Sequence, residues 1–256
     1  MLKIDIILPY KELFSSNGAS AVSISVKNSI LQSKFKKNIN VYGQFVKEPF
    51  RDINFNGFYA NKIIHFSNNL SILKQYIQKT KNEKTKKIIE IHNRPYLLNY
   101  LLKKNMNHCM FLYFHNDPLT MTGSKSISDR KFLLKHCYKI IFNSNWSKKR
   151  FLEGMQNKFI NSDKLLVVFQ SAKKNKLNLN IKKKWITFVG KLNKSKGYDL
   201  FASAIVKILN KYPDWQSYVI GDEQRDKINV SHKNLKKLGF LNHKKVLNIY
   251  KKTSIA

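Results

Sequence analysis

The sequence predicts an α/β protein made of two Rossmann-like, doubly wound units, the second of them incomplete. Two patterns lead there. Short β-branched apolar runs recur between segments of helical periodicity, and that rhythm breaks once, in a polar lysine-rich stretch, before it starts afresh. Strands alternating with helices in this way imply a parallel sheet covered on both faces. The chain has 256 residues, of which 43% are hydrophobic; that is enough for one large or two smaller cores and excludes a disordered composition.

In the first half the strand candidates are IDIILP (4–9), INVYGQF (39–45), NKIIHF (61–66), KIIEIH (87–92), CMFLYFH (109–115), YKIIFNS (138–144) and KLLVVFQ (164–170). Between them ASAVSISVKNSILQSKF sets small and apolar residues at helical spacing, while SDRKFLLKHC and NWSKKRFLEGM follow Ser or Asn residues suited to capping. Residues 1–170 therefore form the first domain, and SAKKNKLNLNIKKK, without a periodic apolar face, supplies a linker at 171–183.

The second domain, 184–256, restarts with WITFVG (185–190), a helix over 198–211, WQSYVIG (215–221), LKKLGFL (235–241) and a helix near 243–252. Leu200, Phe201, Ala204, Ile205, Ile208 and Leu209 give the first of these helices an apolar stripe behind a polar Asp199. About 73 residues make two or three strands, where a doubly wound domain uses five or six. At KKTSIA a helix has just ended and a strand is beginning, so the sequence predicts an incomplete gene product or one that needs a partner.

The formal net charge is +33, and of 48 basic residues five are arginine (Arg51, Arg94, Arg130, Arg150, Arg225). Such a field attracts polyanions, whether nucleic acid, an anionic membrane surface or nucleotide phosphates. The lysines are spread from Lys3 to Lys252 with no aromatic-interleaved basic segment or signature motif, so no specific nucleic acid is expected. Cys109 and Cys137 are too few for a disulfide framework or a zinc knuckle and read as buried, reduced thiols. No apolar run reaches signal-peptide or membrane-span length, which predicts a cytoplasmic protein with peripheral contact at an anionic membrane as an option. There is no Asp-x-Asp and no His/Cys/Asp cluster at ligand spacing, so no metal or other cofactor is called for.

The stretch VGKLNKSKGYDLF carries the most chemistry. It lies at the carboxyl end of a predicted strand, where open α/β sheets bind ligands. Gly190 lets the chain turn sharply, and Lys191 and Lys196 can converge on a diphosphate beside the helix N-terminus, whose free N–H groups also favour negative charge. The competing reading is a lysine-rich surface: with about one residue in six a lysine, two at specified places arise by chance about once in 36 trials.

GKLNKSKGYDLFASAIVKI resembles the donor-site loop of retaining GT-B glycosyltransferases of the group 1, family four kind, which read Gly-Arg, four residues, Lys-Gly and then a helix. YVIGDE (218–223) and LKKLGFLNHKKVLNIYKKTSIA resemble the family's next segments. NGASAVSISVKN, IIEIHNRPYLL, FLYFHNDP and IIFNSNWSKKRFLEG resemble the first-domain elements, in the same order along the whole chain. The resemblance implies a GT-B fold and sugar transfer, with retention, from a nucleotide-sugar donor to a glycan or lipid-linked acceptor in surface-polysaccharide or lipopolysaccharide synthesis. The alternative is a catalytically incomplete remnant or subunit that binds nucleotide or polyanion through its lysines. The lack of G-x-G-x-x-G and of G-x-x-x-x-G-K-[ST] disfavours an unrelated nucleotide-dependent enzyme.

By that resemblance Lys191 and Lys196 neutralise the leaving diphosphate, with a point charge at 191 in place of the family's arginine fork. His115, at a strand end before Asn116 and Asp117, is the catalytic candidate near the donor sugar; a lone histidine can equally be structural. His92 and Arg94 in IHNRP are cleft candidates, or an arginine packing over a loop. Gly18 permits close approach of a ligand or simply makes a turn. Asn116 is a cleft candidate, and Asp117 is suited to capping the next turn of chain. Ser144, with Asn143 and Asn145, faces the cleft or caps the next helix, and Lys149 and Arg150 could add a second cationic contact. The family's paired glutamates would lie downstream of Ala256, and Glu223, in the earlier GDE turn, does not replace them.

Overall fold

The computed structural model describes residues 2–61, 67–103, 108–156, 159, 162–170, 178–222 and 228–256. The chain divides into two compact units, Met1–Lys173 and Lys174–Ala256. Of the expected linker, 171–177 lies outside the described residues, as do nearly all of the strand candidate at 61–66 and Glu223.

The first unit has a seven-stranded, wholly parallel sheet. Its strands are β1 (Ile4–Ile7), β2 (Ile39–Gln44), β3 (Asn54–Phe58), β4 (Ile88–His92), β5 (Cys109–Phe114), β6 (Lys139–Phe142) and β7 (Leu165–Val167), in the spatial order β3-β2-β1-β4-β5-β6-β7. Edge strand β3, of sequence NFNGF, is not among the strand candidates, because two asparagines and a glycine carry little β-propensity. Helices α1 (Ala21–Gln32), α2 (Asn68–Thr80), α3 (Tyr96–Lys103), α4 (Ile127–His136) and α5 (Asn145–Leu152) connect them. Serines start four of these helices: Ser20, Ser67, Ser126 and Ser144 each accept the N–H three residues on. At Ser126 the Asp129 side chain completes a capping box.

The helices do not share the two faces evenly. Alternate strand residues Ile7, Ile89, Ile91, Met110, Leu112, Phe114, Ile140 and Phe142 pack against Tyr76 of α2, Leu98 and Leu101 of α3, Leu133 of α4 and Phe151 of α5. On the opposite face Ile4, Ile6, Leu8, Ile39 and Val41 pack against Val22, Val26 and Ile30 of α1. Among the described helices α1 alone lies there, over β1 and β2, and the same face of β4 to β6 opens onto a cavity of about 430 Å³.

The second unit has four parallel strands, β8 (Lys183–Val189), β9 (Gln216–Ile220), β10 (Leu235–Gly239) and β11 (Thr253–Ile255), in the order β10-β9-β8-β11. The expectation of two or three strands is thus corrected to four, since the short segment after the last helix pairs with β8. Helices α6 (Tyr198–Lys211) and α7 (His243–Lys252) complete the unit. The buried stripe of α6 is Tyr198, Ala202, Ile205 and Leu209, whereas Leu200, Ala204 and Ile208 are exposed. Intervals of four, three and four hold one face toward the sheet, and Tyr198, outside the expected apolar stripe, is its first member.

Candidate functional site

Each sheet has a point where successive connections leave in opposite directions, and ligands of open parallel sheets bind at the carboxyl ends of the strands there. In the first unit this point lies between β1 and β4; the loop after β1 carries Gly18, and His92 ends β4 with Asn93 and Arg94 just beyond it. Gly18 turns with φ +101°, which glycine adopts freely.

The β4–β5 register sets His92 opposite Tyr113, and the two rings stack at 4.6 Å. His115 comes next on the same face, its ring 5.1 Å from that of His92, and Nδ1 of His92 lies 2.8 Å from Nε2 of His115. The remaining ring nitrogen of His115, Nδ1, meets the Gln170 side-chain amide at 2.8 Å. Its backbone is held as well: the N–H donates to Asn93 Oδ1 (2.8 Å) and the carbonyl accepts from Asn143 Nδ2 (2.9 Å). Asn93 is buried at φ +52°, a left-handed geometry that asparagine tolerates, and its carbonyl accepts from Arg94 Nη1 at 2.7 Å.

At the inner end of this row, Oε2 of Glu90 stands 3.7 Å from His92 Nε2. Glu90, His92, Tyr113, His115, Asn143 and Gln170 all border the 430 Å³ cavity. Burial, with the adjoining His92 second, pushes the His115 imidazole down to about 3 and keeps it neutral. Burial and the Glu90 carboxylate raise the Tyr113 phenol, which therefore stays protonated.

The other first-domain candidates are occupied differently. Asp117 accepts the Leu119 N–H at the start of a 3₁₀ turn and forms an ion pair with Arg150 at 3.1 Å. Arg150 also pairs with Glu153, so its guanidinium is engaged by two carboxylates. Ser144 caps α5 by accepting the Ser147 N–H at 3.1 Å, and Asn116 is an exposed loop residue. Cys137 is buried, with its thiol pushed up to about 12, while Cys109 is only half-buried.

In the second unit the chain reverses between β8 and β11, so the loop after β8 occupies the equivalent place. Glycine stands at the carboxyl end of three adjoining strands, with Gly190 just after β8, Gly221 just after β9 and Gly239 as the last residue of β10. The Gly190 N–H donates to the Ile220 carbonyl at 3.0 Å and the Gly221 N–H to that of Gly239 at 2.9 Å. A Cβ on Gly221 would stand 1.8 Å from the Gly190 carbonyl oxygen, so the two loops meet backbone to backbone. Lys191 and Lys196 are exposed, and Lys196 Cβ would lie 3.9 Å from a Cβ built on Gly190. Gly197, at φ +70°, leads into α6, and no side chain caps the first turn.

Sequence reasoning singled out His92, His115, Gly190, Lys191 and Lys196. It missed Glu90, whose signal was its position two residues before His92 on one strand face. It also missed Gln170, 55 residues from the ring it touches. Among the described residues no helix is long and apolar enough to cross a membrane.

No protein-family model matches the sequence, and no match to a curated protein was found. Solved structures do share its fold. Sucrose-phosphate synthase from Thermosynechococcus elongatus aligns with a TM-score of 0.67 at 10% identity, over 98% of this chain and 73% of that one. Anabaena HepE in complex with UDP-glucose aligns at 0.62 and 11%, over 94% and 70%. The E. coli trehalose-6-phosphate synthase bound with UDP-2-fluoro glucose aligns at 0.61 and 12%, over 98% and 76%. The chain thus has the α/β fold, with parallel sheets, of the GT-B glycosyltransferases.

Proposed function

We propose that the protein is a glycosyltransferase that takes a sugar from a nucleotide-sugar donor. The observation that carries this reading is the loop after β8. Glycine strand ends in backbone contact, two exposed lysines and an uncapped helix N-terminus gather at the switch point of a fold shared with proteins solved with UDP-glucose and UDP-2-fluoro glucose. Lys191 and Lys196 offset the charge that grows on the departing diphosphate, and first-turn N–H groups of α6 add to them. Because two fixed cations serve that charge and the sequence has no Asp-x-Asp, the reading needs no metal; the nucleotide sugar is substrate, not cofactor.

His115 serves the donor sugar, and Gly18, His92, Arg94 and Asn116 line the acceptor side. Transfer proceeds with retention to a glycan or lipid-linked acceptor of surface-polysaccharide or lipopolysaccharide assembly. The protein works in the cytoplasm, and its net charge of +33 favours contact with an anionic leaflet.

Calorimetric titration with UDP-glucose tests the donor reading. Lys191→Ala and Lys196→Ala should each lower affinity roughly 10- to 100-fold, the worth of one charge-assisted hydrogen bond to phosphate. The same net charge favours a second reading, a remnant or subunit that holds polyanions through its lysines. That reading predicts instead that heparin binds as well as UDP-glucose does, that binding collapses with salt, and that neither single substitution matters.

A further inference from the structure

The direction of the histidine row is set by its two ends. An amide NH₂ can only donate, so Gln170 Nε2 makes His115 Nδ1 an acceptor and places the His115 proton on Nε2. That N–H then donates to His92 Nδ1, which leaves the His92 proton on its own Nε2, a buried nitrogen that makes no hydrogen bond among the described residues and has the Glu90 carboxylate 3.7 Å away. The opposite direction would set a bare lone pair of buried His92 against that carboxylate. Glu90 and Gln170 thus select the same tautomers from opposite ends, and the groups facing the row are Glu90, Tyr113, Asn143 and Gln170.

His92 is buried, and its Nδ1 occupies one His115 nitrogen, Nε2. The other, Nδ1, is met among the described residues by Gln170, an exposed side chain near the end of the first unit. We propose that Gln170 is a latch: its amide holds the acceptor nitrogen of His115 until a sugar hydroxyl of the ligand takes its place. The proposal rests on the glycosyltransferase reading for the identity of that hydroxyl. A neutral acceptor fixed in one tautomer selects a ligand O–H over an anion, so the latch answers to the sugar and not to the diphosphate.

A neutral hydrogen bond corresponds to a closed-to-open ratio of roughly 2 to 12. Removing the latch therefore raises apparent affinity for a sugar that uses Nδ1 by about 3- to 13-fold. The experiment compares the full chain with Gln170→Ala, first by imidazole ¹⁵N correlation spectra and then by titration with UDP-glucose. The expected spectra show His115 protonated at Nε2 in both proteins, with the Nδ1 resonance shifted in Gln170→Ala, and UDP-glucose bound more tightly by the variant. A proton on His115 Nδ1, an Nδ1 resonance indifferent to the substitution, or equal or weaker UDP-glucose binding by the variant overturns the latch. If neither protein binds UDP-glucose, the donor reading fails for that sugar, and the imidazole spectra still decide whether Gln170 holds Nδ1.

Discussion

Substituting Gly221 by alanine tests the backbone contact on which the second-unit site is built. The new Cβ would lie 1.8 Å from the Gly190 carbonyl oxygen and 2.8 Å from its carbon. Real Cβ atoms essentially never come closer than 3.0 Å, so one strand end must retreat by more than 1 Å. Neither is free to do so, since the Gly190 N–H is bonded to Ile220 and the Gly221 N–H to Gly239. Gly221 also sits at φ +138°, which costs an alanine about 1–3 kcal/mol. Adding one or two broken backbone hydrogen bonds at about 1 kcal/mol each gives a loss of about 2–5 kcal/mol.

The control is Gly239→Ala. It too has a positive φ, +65°, but a Cβ there meets nothing within 4 Å, so only the left-handed penalty of about 1–2 kcal/mol applies. Urea unfolding followed by the fluorescence of Trp185 and Trp215, in a Trp146→Phe background, reports on the second unit alone. UDP-glucose affinity should fall with Gly221→Ala, because the displaced Gly190 carries Lys191 with it. If the Gly221 variant is no less stable than the Gly239 variant, the steric argument is refuted.

Three further outcomes concern buried or charged groups. Lys87 and Asp5 form an ion pair of 2.5 Å with both side chains 1% exposed, so Lys87→Met leaves a buried carboxylate without its cation, still accepting from Tyr76 and Asn40, and should cost about 3 kcal/mol in urea unfolding. The double variant with Asp5→Asn should recover most of that loss. The His115 imidazole, lowered from 6.5 to about 3, binds its proton more readily when unfolded; its contribution is complete above pH 6.5 and is lost at about 1.4 kcal/mol per pH unit as the pH falls toward 3. His115→Gln should remove that part of the acid slope, and an unchanged slope would count against a neutral, buried ring. UDP-glucose affinity should be the same in EDTA as in magnesium; a large loss on chelation would mean that a divalent ion, not Lys191 and Lys196, carries the diphosphate.

How much of the fold is legible in the sequence depends on the range of the interactions. Runs such as KIIEIH and YKIIFNS announce strands because β-branched residues in sequence suffice for that, and Ser126 or Ser144 announces a helix because a cap acts over three residues. The spans 198–211 and 243–252 are the helices found. The histidine row is different. Its members stand at 90, 92, 115 and 170, and only the parallel register of β4 with β5 and the return of the chain after β7 bring them together. The Gly190–Gly221 contact likewise depends on the β8–β9 register, so Gly221 is visible in the sequence as a turn but not as a packing partner. Arg150 is a candidate for binding anions because its charge is local knowledge, whereas Asp117, which engages it, is 33 residues away.

The two candidate sites differ in electrostatic character, and that difference predicts a division of labour. The loop after β8 offers the exposed charges of Lys191 and Lys196, which on the proposed reading hold the diphosphate of the donor. The row around His115 offers a neutral acceptor, held uncharged by burial, which on the proposed reading takes a hydroxyl and gains nothing from phosphate. Lys196→Ala should therefore weaken UDP and UDP-glucose by the same factor. In the Gln170→Ala background, where no latch competes for Nδ1, His115→Ala should leave UDP untouched and weaken UDP-glucose alone, by about 3- to 10-fold for one neutral hydrogen bond. Measured at several salt concentrations, the first effect should shrink as ionic strength rises and the second should not. Equal losses for UDP and UDP-glucose with His115→Ala would mean that the histidine row supports the fold and plays no part in sorting sugars.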